Sequence, residues 1–380
     1  MNKLSLLLIL ITIKVGAQTP TLVIADSLYA VGNYSEAIQR LENLQDKSDA
    51  TQLRLAKFYQ ANGNSDLAMV FYRSILQQHP EKLLTAIRYG DVLVKAGNLR
   101  SADSLFQNLA KEYPNNASFQ FQIGSIKERL VDSTYLDYLH KTIILDSTHQ
   151  QALFKIAKYA LSRRNFQIAE KMSMQGLQSN PNNASLLSIL AQTYIKENSF
   201  VLAISPLEKL LELGQGNEFV HSKLGFCYYQ QNYFEEAIEQ YKLALGYEDR
   251  NSDTHYNLGK LYAKLGDLKR SETHLLMALL IKKQPVDSEF LSLALTYKLQ
   301  EDYQKALQYF NSALEENPDN ERALYERAIA ADNYYKDKTT VLNYYRVYLN
   351  RYEADGNESL IFLAQSRIKD IKTELHLKGE

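Results

Sequence analysis

Residues 254–279 read THYNLGKLYAKLGDLKRSETHLLMAL and predict two short helices joined by a tight turn. Four apolar residues of the first half recur at i, i+3, i+4 and i+7, the spacing of one helix face: Leu258, Leu261, Tyr262 and Leu265. Gly266 can adopt the left-handed conformation that ends a helix. Asp267 can then accept hydrogen bonds from the free N–H groups that open the next helix. The stretch therefore predicts a helix, a turn and a second helix.

The same unit recurs along the chain with a period near 34 residues. Small residues mark the first helix of successive units at Ala56, Gly90, Gly124, Ala157, Ala191, Gly225, Gly259, Ala294 and Ala328. A second series runs twelve residues behind, at Ala68, Ala102, Leu136, Ala169, Ala203, Ala237, Ser271 and Ala306. A side chain without bulk lets two helix backbones approach where they cross. A repeat of this length predicts a solenoid of paired helices.

Short motifs in these units resemble the tetratricopeptide repeat family. Leu258-Gly259 with Tyr262 matches the family pattern of the first helix, and Ala306 with Phe310 matches that of the second. The resemblance covers about residues 20 to 350 as roughly ten units. It implies an all-α, right-handed α-solenoid. Residues 357–380 carry an apolar stripe of their own and predict a C-terminal capping helix.

The first residues are typical of a secretory signal peptide. Lys3 precedes an apolar run from Leu4 to Ile13, and small residues up to Ala17 favour cleavage before Gln18. The run is shorter than the roughly 20 apolar residues that span a bilayer. We therefore predict a signal peptide at 1–17, a solenoid at 18–350 and a capping segment at 351–380. The mature chain is expected to be exported, periplasmic or secreted, without integral membrane insertion.

Composition narrows the classes of function. The 380 residues carry a formal net charge of −1, whereas nucleic-acid binding usually needs a basic face. Cys227 is the single cysteine and lies among apolar residues, so we predict a packed core thiol without a disulfide. No zinc-protease motif, nucleophile elbow or Gly-rich phosphate loop occurs. We therefore predict no catalytic residue, no metal site and no cofactor.

The first helices of the units should line the concave face of a solenoid, where the family resemblance places ligands. Positions 2, 5, 9 and 12 of these helices are expected to face it. Aromatic rings with interspersed lysines there give the candidate partner-binding residues Phe121, Phe154, Lys158, Phe226, Tyr229, Tyr256 and Lys260. Such a surface suits a peptide or protein partner with apolar anchors and some acidic groups.

Three other interpretations remain open from the sequence. The aromatic residues could serve only to pack neighbouring helices, or they could stack on sugars in a carbohydrate-binding module. An enzyme with an unrecognised active site is the third. Some family members hold a terminal carboxylate with Lys at position 5 and Asn at position 9. None of the corresponding pairs here fits that pattern: Leu53/Lys57, Ile87/Asp91, Phe154/Lys158 and Tyr256/Lys260.

Overall fold

The computed structural model describes residues 18–45, 48–282 and 286–378, and this part of the chain is built from α-helices without strands. This confirms the predicted all-helical fold. The predicted signal peptide at 1–17 lies outside the described residues. None of the described helices combines the length and the apolar character that crossing a bilayer requires.

The chain divides into two compact units, Met1–Pro181 and Asn182–Glu380. The described helices of the first unit are α1 (Gln18–Ala30), α2 (Tyr34–Glu42), α3 (Asp49–Ala61), α4 (Ser65–Gln78), α5 (Leu83–Lys95), α6 (Leu99–Glu112), α7 (Ala117–Arg129), α8 (Tyr135–Leu145), α9 (Gln150–Ser162) and α10 (Phe166–Ser179). Those of the second are α11 (Ala184–Lys196), α12 (Phe200–Glu212), α13 (Glu218–Gln230), α14 (Phe234–Tyr247), α15 (Ser252–Lys264), α16 (Leu268–Ile281), α17 (Asp287–Leu299), α18 (Tyr303–Glu316), α19 (Glu321–Tyr334), α20 (Lys338–Tyr352) and α21 (Glu358–Lys378).

Each odd-numbered helix up to α19 packs on the helix that follows it. We call the odd-numbered helices up to α19 the A helices and their partners the B helices. Within each unit the B helix of one pair also contacts the A helix of the next. The described chain thus holds ten helix pairs followed by α21, which agrees with the predicted repeat count.

Small residues lie where the two helices of a pair cross. Ala56, Ala157, Ala191 and Ala294 of the A-helix series have no solvent-exposed surface. A Cβ atom added to Gly259 would lie 2.7 Å from Cγ of Leu275 on the paired helix. Side chains larger than hydrogen are therefore excluded there, which is the packing that the two small-residue series predict.

The assignment of Leu136 to the helix crossing in the second series was wrong. Leu136 is only half-buried, whereas Leu139 is fully buried and would approach a Cβ on Gly124 to 3.1 Å. The crossing position belongs to Tyr135, whose carbonyl oxygen would lie 3.2 Å from that Cβ. The register shifts because Tyr135 lies three positions after the turn residue Asp132, whereas Ser271 lies four positions after the equivalent Asp267. Asp132 accepts hydrogen bonds from N and Oγ1 of Thr134 in this shorter connection.

The turns between paired helices contain a residue in the left-handed region. Gly97 and Gly266 both have φ +80°, as predicted for glycine at this position. The Asp267 side chain accepts a hydrogen bond from the N–H of Arg270, which confirms the predicted cap. Val131 occupies the position equivalent to Gly97 with φ +59°, and 91% of it is exposed. A β-branched side chain is strained in this conformation and gains no packing there.

Replacing Val131 by glycine is expected to raise the free energy of unfolding by about 1 kcal/mol, because the left-handed strain is removed. Gly97→Val in the preceding pair is the matched control and should lower stability by a similar amount. Guanidinium unfolding followed by circular dichroism measures both. A Val131→Gly protein less stable than the original would contradict this interpretation of the turn.

The single cysteine lies inside the second unit. Cys227 is fully buried with a free thiol, and burial raises its pKa to about 12. The thiolate that nucleophilic attack or metal binding requires is therefore disfavoured at neutral pH. The predicted core thiol is confirmed.

Helix α21 covers the flank of the last helix pair. Ala364 and Ile371 are fully buried and pack in one apolar cluster with Tyr345 of α20. Arg367 of α21 donates to Asp332 of α19 with a 2.6 Å bond from Nε. The helix thus closes the apolar surface of the last pair, as its stripe predicts, while the division of the chain at residue 350 stays a prediction.

Candidate partner-binding surface

All seven predicted residues lie on A helices and are at least partly exposed. The structure brings them together in three clefts, one in the first unit and two in the second. Phe226 and Tyr229 contact the apolar core with part of their rings, as does Tyr256. These three side chains therefore pack against the core with one part of the ring and expose another part. They can pack neighbouring helices and bind a ligand at the same time.

The α7–α9 cleft belongs to the first unit and has a volume of about 480 Å³. It brings Phe121, Phe154 and Lys158 together with Tyr135 and Tyr159. The ammonium of Lys158 lies 6.0 Å from the ring centre of Phe154. The cleft thus combines four aromatic rings with charged and polar side chains.

The α13–α15 cleft belongs to the second unit and has a volume of about 370 Å³. Phe226 and Tyr256 line it, joined by Phe219 and by the buried Tyr241. Phe226 is held edge-on to the Phe200 ring, with 5.4 Å between ring centres. Around these rings lie polar and charged residues: Glu218, Ser222, Lys223, Asn251, Asp253, Thr254 and Asn257.

The α15–α19 cleft also belongs to the second unit and has a volume of about 310 Å³. It brings Tyr229, Tyr256 and Lys260 together with Lys264 and Arg322. The Lys260 ammonium lies 5.2 Å from the ring centre of Tyr256 and 5.8 Å from that of Tyr229. Lys264 lies 5.7 Å from the Tyr229 ring centre. Both lysines are thus within reach of a ring face, where the attraction is worth about 0.5–1 kcal/mol at an exposed site.

The charged side chains that line the α15–α19 cleft are all cationic among the described residues. Burial lowers the pKa of Lys260, and the positive charges of Arg322 and Lys264 lower it further. Among the described residues, no Asp or Glu lines this cleft. Three cations therefore surround a partly dehydrated space without a carboxylate in its walls.

Two residues of this cleft escaped the sequence analysis. Lys264 follows Lys260 at i+4, one position beyond the four that were assigned to the concave face. Arg322 stands at position 2 of α19, which the positional rule includes, but its convergence with α15 depends on how successive helix pairs stack. The positional rule therefore covers Arg322 but not Lys264, and it does not predict that the two charges converge.

These clefts contain groups suited to binding. Aromatic faces stack on apolar or planar groups, and the cations attract anions. Within the described part of the chain, no group of three or more His, Cys, Asp or Glu residues is arranged to hold a metal ion. The geometry accordingly favours recognition of a ligand.

Comparison with known families identifies the fold family. Models described as tetratricopeptide repeat or TPR repeat match residues 50–82, 225–266, 252–285 and 289–320. The chain is a tetratricopeptide-repeat protein. Residues 84–210 of this tetratricopeptide-repeat protein also match a model described as ChAPs, the Chs5p-Arf1p-binding proteins. The predicted family is thus confirmed by segments from both units.

Individual relatives are distant. The chain is 24% identical over 330 residues to tetratricopeptide repeat protein 21B of Xenopus laevis, covering 78% of this chain and 25% of that protein. It is 22% identical over 270 residues to anaphase-promoting complex subunit CDC16 of Saccharomyces cerevisiae, covering 68% and 32% respectively. It therefore spans about a quarter to a third of these two relatives. Among solved structures it is similar to YrrB, described as a TPR protein with an unusual peptide-binding site, at 18% identity and TM-score 0.46, covering 50% of this chain and 97% of YrrB.

Proposed function

We propose that this chain is a non-catalytic scaffold that binds a peptide or protein partner through its A helices. Tetratricopeptide-repeat proteins are protein-interaction scaffolds, and the chain's membership of that family supports the general class of function. The observation that carries the specific proposal is the α15–α19 cleft, where three cations and two tyrosines share one accessible space. A protein segment with acidic and apolar side chains complements both features.

The charge of this cleft favours a protein segment over a sugar. Neutral carbohydrate would stack on Tyr229 and Tyr256 but would leave the repulsion among Lys260, Lys264 and Arg322 uncompensated. An anionic partner relieves that repulsion when it binds. Carbohydrate binding is therefore the second candidate.

Crosslinking in intact cells, followed by mass spectrometry, tests the proposed function. Alanine at Phe226, Tyr229, Tyr256 and Lys260 together should abolish capture of a protein neighbour. A matched variant carries alanine at four exposed residues on and beside the B helix α14, two tyrosines, one lysine and one leucine in place of the phenylalanine, namely Tyr233, Lys242, Leu243 and Tyr247. That variant should capture the neighbour as the original protein does. Both variants should keep their helical circular dichroism. Capture that survives the cleft substitutions would move the site elsewhere, and a glycan ligand without a protein neighbour would favour carbohydrate binding.

We further propose that the protein is exported and acts in the bacterial cell envelope. The support is the sequence of residues 1–17, where Lys3 precedes the apolar run Leu4 to Ile13. Fractionation followed by N-terminal sequencing should find a mature chain that begins at Gln18 outside the cytoplasm. A cytoplasmic chain that retains residues 1–17 would refute the location and leave the binding proposal intact.

A further inference from the structure

In the described part of the chain, the α15–α19 cleft brings three cations together without a carboxylate in its walls. Three other cations of the same unit are paired with carboxylates: Lys282 lies 2.7 Å from Glu289, Lys298 lies 2.5 Å from Glu326 and Lys338 lies 2.8 Å from Asp332. No such ion pair is found within the described structure for Lys260, Lys264 or Arg322. Three cations that converge without a carboxylate partner form a site available for an anionic ligand.

The walls of the α15–α19 cleft strengthen the electrostatic attraction between its cations and a bound anion. Tyr229 and Tyr256 place their rings beside the ammonium groups, and Leu291 and Leu295 of α17 line the same cleft. Apolar and aromatic walls lower the local dielectric and reduce screening by solvent. A carboxylate in this cleft therefore interacts more strongly with the three cations than it would on an open surface.

The α13–α15 cleft next to it has the opposite preference. Phe219, Phe226 and Tyr256 offer rings for an apolar side chain, while Glu218 and Asp253 place two carboxylates around them against the single ammonium of Lys223. These carboxylates disfavour an anion and leave the rings for an apolar group. Tyr256 lines both clefts, so one ligand can occupy both.

We propose that the two clefts of the second unit together bind an extended acidic segment of a partner protein. An apolar side chain enters the α13–α15 cleft and an acidic side chain enters the α15–α19 cleft. Packed helices lie about 8–10 Å apart, and an extended chain rises about 3.3 Å per residue. The apolar and acidic residues of the segment are therefore about three positions apart. This inference rests on the proposed function and specifies its partner.

Selection from a library of random dodecapeptides displayed on phage tests the inference with the full chain as bait. Peptides enriched by the original protein should carry Asp or Glu about three residues from an aromatic or aliphatic residue. The double variant Lys264→Gln, Arg322→Gln should bind a selected synthetic peptide about tenfold more weakly, because two contributions to the attraction are lost. The affinity of the original protein should fall as the salt concentration rises.

A matched double variant controls for the loss of charge itself. Lys242 and Arg346 are exposed cations on the B helices α14 and α20, and replacing both by glutamine should leave peptide affinity unchanged. The thermal midpoint separates a binding role from a structural one. Removing Lys264 and Arg322 relieves repulsion, so the cleft variant should be at least as stable as the original while binding less well.

The outcomes separate this inference from the proposed function. Enrichment of neutral or basic peptides, or equal affinity of the cleft variant for an acidic peptide, would overturn the acidic segment and leave a peptide-binding scaffold. Absence of any enrichment would overturn both. Self-association of the chain that only the cleft variant abolishes would assign the surface to a second copy and would likewise overturn a separate partner.

Discussion

Replacing Gly259 by alanine is expected to lower the free energy of unfolding of the second unit by about 2 kcal/mol. A Cβ atom there would lie 2.7 Å from Cγ and 2.8 Å from Cδ2 of Leu275, closer than carbon atoms tolerate. Leu275 is fully buried and cannot swing into solvent to relieve the contact. The strain exceeds the gain of about 1 kcal/mol that alanine gives over glycine inside a helix.

Gly246 provides the matched control for this substitution. It lies in the neighbouring helix α14, and a Cβ atom there would meet nothing within 4 Å. Gly246→Ala should therefore raise stability by about 0.5–1 kcal/mol, which is the effect of helix propensity alone. Guanidinium unfolding of both variants should show a loss of stability for Gly259→Ala and a gain for Gly246→Ala. Equal stabilisation by both alanines would refute close packing at the Gly259 crossing.

A double-mutant cycle identifies the cause of the loss. Leu275→Ala alone removes a buried side chain and should cost about 3 kcal/mol. In the Gly259→Ala background the same change also removes the clash, so it should cost about 1–2 kcal/mol less. Repeat proteins unfold partly by local units. Hydrogen-exchange protection of α15 and α16 should therefore rank the original protein and its variants in the same order of stability as guanidinium unfolding does.

The repeat could be predicted from the sequence because its cause is local in the chain. A small residue is needed once per helix crossing, so Gly225, Gly259 and Ala294 recur at a spacing that counting reveals. Counting fails where a turn changes length. In the turn before α8, where Asp132 accepts hydrogen bonds from Thr134, one residue fewer precedes the crossing, which moves from Leu136 to Tyr135. Periodicity cannot register such a change when both candidate residues are large.

The candidate site could be predicted only as a set of positions. The rule for the A helices found Tyr229, Tyr256 and Lys260, because residues that share a helix face have fixed spacings. Which charges converge depends on side-chain reach across several helices, so the contribution of Arg322 from α19 emerged only from the structure. Among the described residues, the cleft walls hold no carboxylate. This too depends on how the helices pack and could not be predicted from the sequence.

Acidification from pH 7.5 to pH 5 is expected to destabilise the second unit through a pair of histidines. Nδ1 of His255 on α15 lies 2.9 Å from Nδ1 of His274 on α16. Nε2 of His255 contacts the carbonyl oxygen of Asp249 at 3.1 Å, so both ring nitrogens of His255 have a partner. Burial lowers the pKa of His274 to about 4, and His255, Lys242 and Arg270 lower it in the same direction.

The sign of the effect follows from this pKa. An unfolded histidine binds its proton near pH 6.5, whereas folded His274 binds it only near pH 4. Stability from the neutral imidazole is therefore complete above about pH 6.5 and is lost as the pH falls toward 4. Because His274 is partly exposed and solvent screens its charge, we expect a loss of about 1–2 kcal/mol between pH 7.5 and pH 5.

Guanidinium unfolding at a series of pH values measures the loss. His274→Asn removes the titrating group but keeps an amide that can hydrogen-bond His255, so its stability should vary less between pH 7.5 and pH 5 than that of the original protein. His140→Asn changes an exposed histidine of α8 in the other unit and should preserve the original profile. If His274→Asn keeps the full pH dependence, the loss must arise from other groups. If only the His274 variant shows a flattened profile, the loss of stability on acidification is assigned to the contact between His255 of α15 and His274 of α16.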